Sequence, residues 1–98
     1  MIVVLTETAE QDLEAIGDHI ARDAPRHAIA FLNELRKRCI SLAELPHRFP
    51  LIPRHERQGV RRCVHGRYLI LYRVDHDQVT ILRILHGAMD YTALLFPS

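Results

Sequence analysis

The sequence predicts an α+β fold in which a mostly antiparallel sheet packs on one side against a helical hairpin. Three patterns lead to this prediction: a short apolar run at the start, two consecutive apolar stripes at helical spacing, and three apolar runs separated by short turns in the second half. The resulting element order is β-α-α-β-β-β. Because the chain has 98 residues, of which 48% are hydrophobic, we expect one domain over residues 1–98 with one modest core.

Residues 2–5 form the first predicted strand because they are apolar and mostly β-branched. The next helix is capped by Thr6 or Thr8, and Thr8 begins a Thr-x-x-Gln capping box. Gly17 costs this helix about 1 kcal/mol relative to alanine, so we expect the glycine to allow close packing against a neighbouring helix. The apolar stripe of the helix consists of Ala9, Leu13, Ile16 and Ile20.

A second helix is predicted to begin near Pro25, where proline is tolerated in the first turn, and to end at Pro46. Two amphipathic helices joined by a few residues predict an antiparallel hairpin. The long stripe of the second helix consists of Ala28, Phe31, Leu32, Leu35, Cys39, Leu42 and Leu45.

Residues 46–59 contain three prolines and a glycine, so they predict a loop with little regular structure. Residues 60–65 then predict a strand whose side chains alternate between two faces. One face carries Val60, Arg62 and Val64, and the other carries Arg61, Cys63 and His65.

Two further strands complete the predicted sheet. A tight hairpin at residues 66–67 leads into residues 68–74, a nearly continuous apolar run that predicts a central strand covered on both faces for most of its length. Residues 75–78 form a second turn before the last strand, residues 79–86. Residues 90–96 predict either a short closing helix or a frayed tail.

The net charge of +1 conceals a strong gradient along the chain. Residues 1–23 contain six acidic side chains and one arginine, whereas residues 47–67 contain six arginines, three histidines and one glutamate. Arginine forms bidentate contacts with carboxylate and phosphate groups. The basic segment therefore predicts contact with an anion, which is nucleic acid, an acidic partner or the protein's own acidic helix; a solvated arginine-rich surface is the simplest alternative.

Several kinds of catalytic site are not supported by the sequence. The seven histidines include no His-x-x-x-His pair and no zinc-finger spacing, although His65 and His86 could approach each other across strands. The four glycines are isolated, which argues against a phosphate-binding glycine loop. Cys63 is expected to pack as a small buried hydrophobe. We therefore expect no metal and no cofactor.

Arg83 lies within an apolar strand, where an unpaired guanidinium would be costly. By strand alternation, Arg83 is expected to share its face with Val79, Ile81 and Leu85, while His86 points to the other face. Two interpretations remain open. Arg83 either pairs internally with an acid, for example on the first helix, or joins other arginines on a sheet face that binds an anionic target.

Six motifs occur in a fixed order along almost the whole chain. They are Thr6-x-x-Ala9-x-x-Asp12-Leu13-x-x-Ile16, Ala28-x-x-Phe31, Leu45-Pro46, Val60-Arg61-Arg62-Cys63, Tyr72-Arg73-Val74 and the run from Ile81 to Asp90, which contains Arg83-x-x-His86-Gly87-x-x-Asp90. In this order and spacing the chain resembles the toxin subunit of bacterial type II toxin–antitoxin pairs, in the RelE/ParE superfamily, on its ParE or plasmid-stabilisation branch.

The resemblance implies a toxin that inhibits DNA gyrase by binding and is not itself an enzyme. It also implies neutralisation by a ParD-like ribbon-helix-helix antitoxin, which would link the toxin to DNA only indirectly. The residues expected to contact the target are Arg61, Arg62, Arg67, Arg83, His86, Met89 and Asp90. The antitoxin is expected to contact the apolar positions Leu13, Ile16, Ile20 and Phe31, unless these are wholly core.

The RelE branch of the superfamily offers an alternative, a metal-independent endoribonuclease that cleaves mRNA on the ribosome. Its active group would be Arg61, Arg62, Arg83 and His86. Against it, Leu69, Ala88 and Met89 stand where the ribonucleases carry basic residues. A related branch uses a C-terminal histidine and tyrosine, which keeps His86 in consideration, and Tyr91 lies near that end. A third possibility is a detoxified member that serves only as an antitoxin ligand.

The expected location is the cytoplasm. The N-terminal segment has no basic region ahead of its apolar run, no stretch approaches the roughly 20 apolar residues of a membrane span, and two cysteines are too few for a disulfide scaffold.

Overall fold

The computed structural model describes residues 1–97 and confirms the predicted α+β class and element order. The elements are β1 (Ile2–Leu5), α1 (Glu7–Ala21), α2 (Pro25–Ser41), a 3₁₀ turn (Glu56–Gln58), β2 (Val60–His65), β3 (Tyr68–Asp75), β4 (Gln78–His86) and α3 (Tyr91–Leu95). Within the described residues, none of the helices has the length and apolar character to cross a membrane.

The four strands form one sheet in the order β1-β4-β3-β2. The pairs β2–β3 and β3–β4 are antiparallel hairpins, whereas β1 lies parallel to β4 at the edge of the sheet. The helical hairpin α1–α2 provides the long connection between β1 and the other strands, and both helices pack on the same face of the sheet.

The start of α1 is fixed by Thr6 rather than by the predicted capping box at Thr8. The Thr6 hydroxyl accepts a hydrogen bond from the Ala9 N–H at 3.0 Å and donates one to the Leu82 carbonyl at 2.9 Å. One side chain therefore caps the helix and also ties it to β4. The predicted close approach at Gly17 is confirmed, because a Cβ at this position would lie only 2.7 Å from Leu32 Cδ1 on α2.

The end of α2 differs from the prediction. The helix ends at Ser41, and the next three residues form tighter turns in which each N–H bonds to the carbonyl three residues back. Because proline disfavours helical geometry in the residue before it, the chain leaves the α-helix ahead of Pro46. Leu45, predicted to belong to the buried stripe, is 63% exposed.

The sheet is covered on both faces, as predicted for its central strand. The face toward α1 and α2 carries the larger core, which includes Leu13, Leu35, Cys39, Ile70 and Tyr72. The opposite face, which we call the open face, carries a second cluster. Its members are Ile52, Val60, Leu69, Leu71 and Leu85, with Leu82, Tyr91, Leu95 and Phe96 packed against them.

The open face is covered by two segments whose structure is hard to predict from the sequence, the loop of residues 46–59 and the C-terminal residues 90–96. The predicted loop 46–59 includes the 3₁₀ turn and a bridge between Leu51 and Arg61, and α3 is a helix capped by Asp90 rather than a frayed tail. His55 stacks on Phe96, with ring centroids 4.4 Å apart, and so joins the two segments.

A bulge in β4 corrects the predicted side-chain directions after Ile81. Leu71 pairs with Arg83 and Tyr72 with Ile81, so Leu82 is an extra residue in β4. The alternation is thereby shifted by one position. Leu85 belongs to the open-face cluster, whereas Ile84 faces the helices. The prediction that Arg83 and Leu85 share a face with Val79 and Ile81 is wrong for this reason, whereas Arg83 and Leu85 do share a face and His86 points to the other.

Candidate functional site

The first residue of β3 and the last residue of β4 lie side by side at one end of the sheet. Tyr68 pairs with His86, and their rings meet edge to face with centroids 5.5 Å apart. Phe31 of α2 contacts both Tyr68 and His65, each at a centroid distance of 5.6 Å. This end of the sheet therefore gathers aromatic and imidazole rings from four elements.

On the open face, Arg62 of β2 reaches the C-terminal helix. Its Nη1 donates a hydrogen bond to the Tyr91 hydroxyl at 2.8 Å. The two side chains line a cavity of about 400 Å³ together with Arg67, Tyr68 and His86. We call these five residues the strand-end cluster. None of the ion pairs formed within residues 1–97 involves Arg62 or Arg67, so both keep an uncompensated positive charge.

Arg83 of β4 is neutralised by Asp12 of α1. Arg83 Nε and Nη2 donate to the two Asp12 carboxylate oxygens at 2.8 and 3.0 Å. One of these oxygens also accepts the Ile84 N–H at 2.9 Å. These hydrogen bonds raise the pKa of the Arg83 guanidinium above its usual value, while burial opposes the shift. Of the two interpretations of Arg83, the internal pair with an acid on the first helix is the one observed.

Arg61 is hydrogen-bonded to backbone carbonyls rather than to an acidic side chain. As predicted, it points to the face opposite Arg62, where its Nη1 donates to the carbonyls of Phe49 at 2.7 Å and His47 at 3.2 Å. The arginine thus fixes the loop after α2. Its guanidinium is part of the fold, although it is still charged.

The structure therefore divides the residues predicted to contact a target or to cleave RNA. Arg62, Arg67 and His86 come together in the strand-end cluster, whereas Arg61 lies on the other face and Arg83 is held by Asp12. The two remaining target residues follow His86 in the chain. Met89 is exposed, and Asp90 caps α3 by accepting from the Ala93 N–H at 3.4 Å and the Thr92 hydroxyl at 2.9 Å.

Two of the four residues predicted to contact an antitoxin unless they are wholly core belong to the core. Leu13 is 1% exposed and Ile16 is 7% exposed, because both point from α1 into the main core. Ile20 and Phe31 are only partly buried, and they line a cavity of about 390 Å³ with His19, Arg67 and His86.

Sequence reasoning did not assign a role to Tyr68 and placed Tyr91 only near the C-terminal end. Asp90 is a favoured N-cap residue, and its side chain accepts from the Ala93 N–H at the start of α3. With α3 beginning there, Tyr91 packs on the open face. Tyr68 carries no comparable signal, because it reads as one more residue of an apolar strand. Within residues 1–97, no group of three or more histidine, cysteine or acidic side chains is arranged to hold a metal ion.

The fold and sequence can be compared with known proteins. The chain is similar at 31% identity to a solved structure of the toxin–antitoxin complex RelBE2 from Mycobacterium tuberculosis, with a TM-score of 0.65 over 87% of this chain and 95% of that one. It shares the fold of the chromosomal ParDE system from P. aeruginosa, with 24% identity, a TM-score of 0.74, and 88% and 95% of the two chains covered. The RelB–RelE complex from Methanococcus jannaschii has the same fold at 20% identity and a TM-score of 0.57, over 96% and 99% of the chains.

A search of curated protein sequences finds no match. The family described as the ParE toxin of the type II toxin–antitoxin system parDE matches residues 3–91, which is nearly the whole chain. With the β-α-α-β-β-β fold and the motif order given above, this match identifies the chain as a member of the ParE toxin family, within the RelE/ParE superfamily of type II toxins.

Proposed function

We propose that this toxin acts in the cytoplasm by binding and inhibiting DNA gyrase, with the strand-end cluster and the adjoining segment through Asp90 as its contact surface. The observation that carries the proposal is that the four residues that an RNase of the RelE type would need do not all lie at one site. Arg61 is hydrogen-bonded to the Phe49 carbonyl, and Arg83 is hydrogen-bonded to Asp12. In these positions, two of the four groups cannot stabilise a reacting phosphate.

The charges of the strand-end cluster support a role in binding. Arg62 and Arg67 form no ion pair within the described residues, and exposed Met89 lines a further cavity with Tyr68 and His86 of the cluster. Arginine surrounded by aromatic and apolar groups is typical of the residues that contribute most to protein interfaces.

A ParD-like ribbon-helix-helix antitoxin is proposed as the neutralising partner. Ile20 and Phe31 remain available to it, and Arg67 and His86 line the same cavity. An amphipathic segment with acidic side chains fits this combination of apolar and basic groups.

A direct test is a gyrase supercoiling assay with purified, antitoxin-free protein, run beside a ribosome-dependent mRNA cleavage assay. The expected result is inhibited supercoiling with intact mRNA. Arg67→Ala should raise the inhibitory concentration about tenfold, the size expected for one well-placed arginine contact. Arg57→Ala removes the same charge from an exposed position on the 3₁₀ turn and serves as the matched control. mRNA cleavage with unaffected supercoiling would overturn the proposal.

A ribosome-dependent endoribonuclease remains the second candidate because Arg62, His86 and the Tyr91 hydroxyl surround one cavity. Imidazole and phenol groups can transfer protons, and the guanidinium can stabilise developing negative charge. Tyr91→Phe separates the two candidates, since it would abolish cleavage by an RNase but leave most of the surface for gyrase in place.

A further inference from the structure

A second basic cavity lies near the C-terminal end of α2, and nothing in the proposed function uses it. The guanidinium carbons of Arg38 and Arg48 lie 5.4 and 5.3 Å from the centroid of the Phe49 ring. These three side chains line a cavity of about 250 Å³ together with Ser41, Glu44 and Leu45. This volume is below the range of about 300–1,000 Å³ typical of drug-sized ligands, so it suits a smaller group.

The two arginines stack on Phe49, but neither meets an anionic partner within the described residues. Among residues 1–97, neither forms an ion pair, and Arg38 Nε is buried without a hydrogen-bond partner. The carbonyls at the end of α2 do not need them. Arg38 O accepts from the Ser41 hydroxyl at 2.6 Å, and the next three carbonyls accept from the N–H groups of residues 42–44. A buried donor without an acceptor is costly, and a bound anion would remove that cost.

The loop that carries Arg48 and Phe49 is anchored at three carbonyls. The Tyr72 hydroxyl donates to Pro46 O at 2.7 Å, and Arg61 donates to the carbonyls of His47 and Phe49. Two charged groups are thus held beside one aromatic ring by contacts that come from β2 and β3. Such preorganisation lowers the ordering cost of binding.

We propose that this cavity binds a phosphate group of a nucleotide or of a nucleic acid chain. The tetrahedral oxygens of a phosphate can accept from both guanidiniums, whereas a single carboxylate is satisfied by one of them. The Phe49 ring holds both guanidiniums beside the cavity through cation–π contacts, which keeps the two charges in place for one phosphate group. Glu44 is the one acidic side chain on the cavity wall, and it opposes binding.

The test follows the Arg38 Nε–H resonance by NMR in the full-length, antitoxin-free protein. Inorganic phosphate should shift this resonance saturably, and chloride at the same ionic strength should not. A mononucleotide and a single-stranded oligonucleotide are then titrated separately. Tighter binding of the oligonucleotide assigns the site to a nucleic acid chain, and equal binding assigns it to free nucleotides; both outcomes support the phosphate chemistry.

Variants decide whether the cavity or the general positive charge is responsible. Arg48 is exposed, so Arg48→Gln should fold normally and weaken oligonucleotide binding about tenfold, the loss expected for a charge-assisted hydrogen bond. Arg38→Gln should have a similar effect, and Glu44→Gln should strengthen binding. Lys37→Gln, which removes one exposed charge from the neighbouring position, should change affinity less than about twofold.

Either of two results would overturn the proposal. An equal loss of affinity in Lys37→Gln and Arg48→Gln would show that only the overall charge matters. Tighter binding of an acidic peptide than of an oligonucleotide of equal charge would assign the cavity to a protein partner. The proposal does not depend on the choice between gyrase and mRNA, because the cavity is lined by none of the residues of the strand-end cluster.

Discussion

Arg83 and Arg62 flank Leu71 from the two strands on either side of β3 but meet different surroundings. The Arg83 guanidinium is matched by the Asp12 carboxylate of α1 at 2.8 Å, and Asp12 also accepts from the Ile84 N–H, two residues after the β4 bulge. On the open face, Arg62 bonds to the neutral Tyr91 hydroxyl. An arginine paired with a carboxylate stabilises the fold, whereas an arginine paired with a phenol keeps its charge for a partner. On the proposed function, the two regions therefore separate stability from binding.

The largest expected effect concerns the ion pair between Arg83 and Asp12. Asp12→Asn should lower the free energy of unfolding by about 3 kcal/mol, because it leaves the partly buried Arg83 guanidinium without its counter-charge and weakens the bond to the Ile84 N–H. Urea denaturation monitored by circular dichroism measures this change. Asp18→Asn, at an exposed position on the same helix, is the control and should change stability by less than about 0.5 kcal/mol.

A second test addresses the close packing of α1 against α2. Alanine normally stabilises a helix by about 1 kcal/mol relative to glycine. Gly17→Ala should nevertheless lower stability by about 1–3 kcal/mol, because the new Cβ would lie 2.7 Å from Leu32 Cδ1. The combination Gly17→Ala with Leu32→Ala makes room for the methyl group. If Gly17→Ala alone raised the denaturation midpoint, the Leu32 side chain would move aside at little cost, contrary to the tight packing described.

The two regions also differ in how well the sequence predicts them. Strand and helix order, the role of Gly17 and the burial of Cys63 follow from periodicity, and they are confirmed. The bulge at Leu82 could not be predicted, because an extra residue in a strand leaves the apolar composition unchanged while it reverses every side chain after it. The assignment of Arg83 and Leu85 to the face of Val79 and Ile81 was wrong as a result.

The candidate site depends on tertiary contacts that leave no periodic signal. Arg62 was selected as basic and strand-borne, but its partner Tyr91 lies on a five-residue helix, which is too short for an apolar stripe to be recognised. The burial of Leu13 and Ile16 was the simpler interpretation of a helical stripe, and it is the one that the structure supports. Sequence alone cannot distinguish a core stripe from a binding stripe.

Alkaline pH provides a smaller test of the helix-facing core. Burial raises the pKa of the Cys39 thiol to about 12, whereas an unfolded cysteine has a pKa of about 8.5. Above pH 8.5 the unfolded chain loses this proton and the folded chain keeps it, so the stability should decrease as pH rises toward 12. The pKa of Tyr72 is also raised by burial and acts in the same direction.

Denaturation midpoints measured between pH 7 and about pH 10 check this dependence, a range in which an unfolded thiol ionises. Cys39→Ala should be less stable at neutral pH because it leaves a cavity, but its stability should decline less steeply with pH. An identical slope in Cys39→Ala and in the parent protein would contradict the assignment.

The smallest expected effect concerns an exposed ion pair on the outer side of the helices. Arg36 bonds to Glu10 at 2.8 Å, which lowers the pKa of the Glu10 carboxyl, mainly through this hydrogen bond. The stabilisation is present above the unfolded pKa of glutamate and is lost as pH falls through the lowered folded value. Because both side chains are about half exposed, Glu10→Gln should cost less than about 1 kcal/mol at neutral pH.

The separation of stability from binding is tested most directly by two matched substitutions, Arg62→Gln and Arg83→Gln, each measured for supercoiling inhibition and for urea stability. Arg62→Gln is expected to raise the inhibitory concentration about tenfold and to change the free energy of unfolding by no more than about 1 kcal/mol. Arg83→Gln is expected to lower stability by about 3 kcal/mol and to keep the inhibitory potency of the fraction that is folded. The opposite pattern, in which Arg83→Gln abolishes inhibition at unchanged stability, would contradict the account.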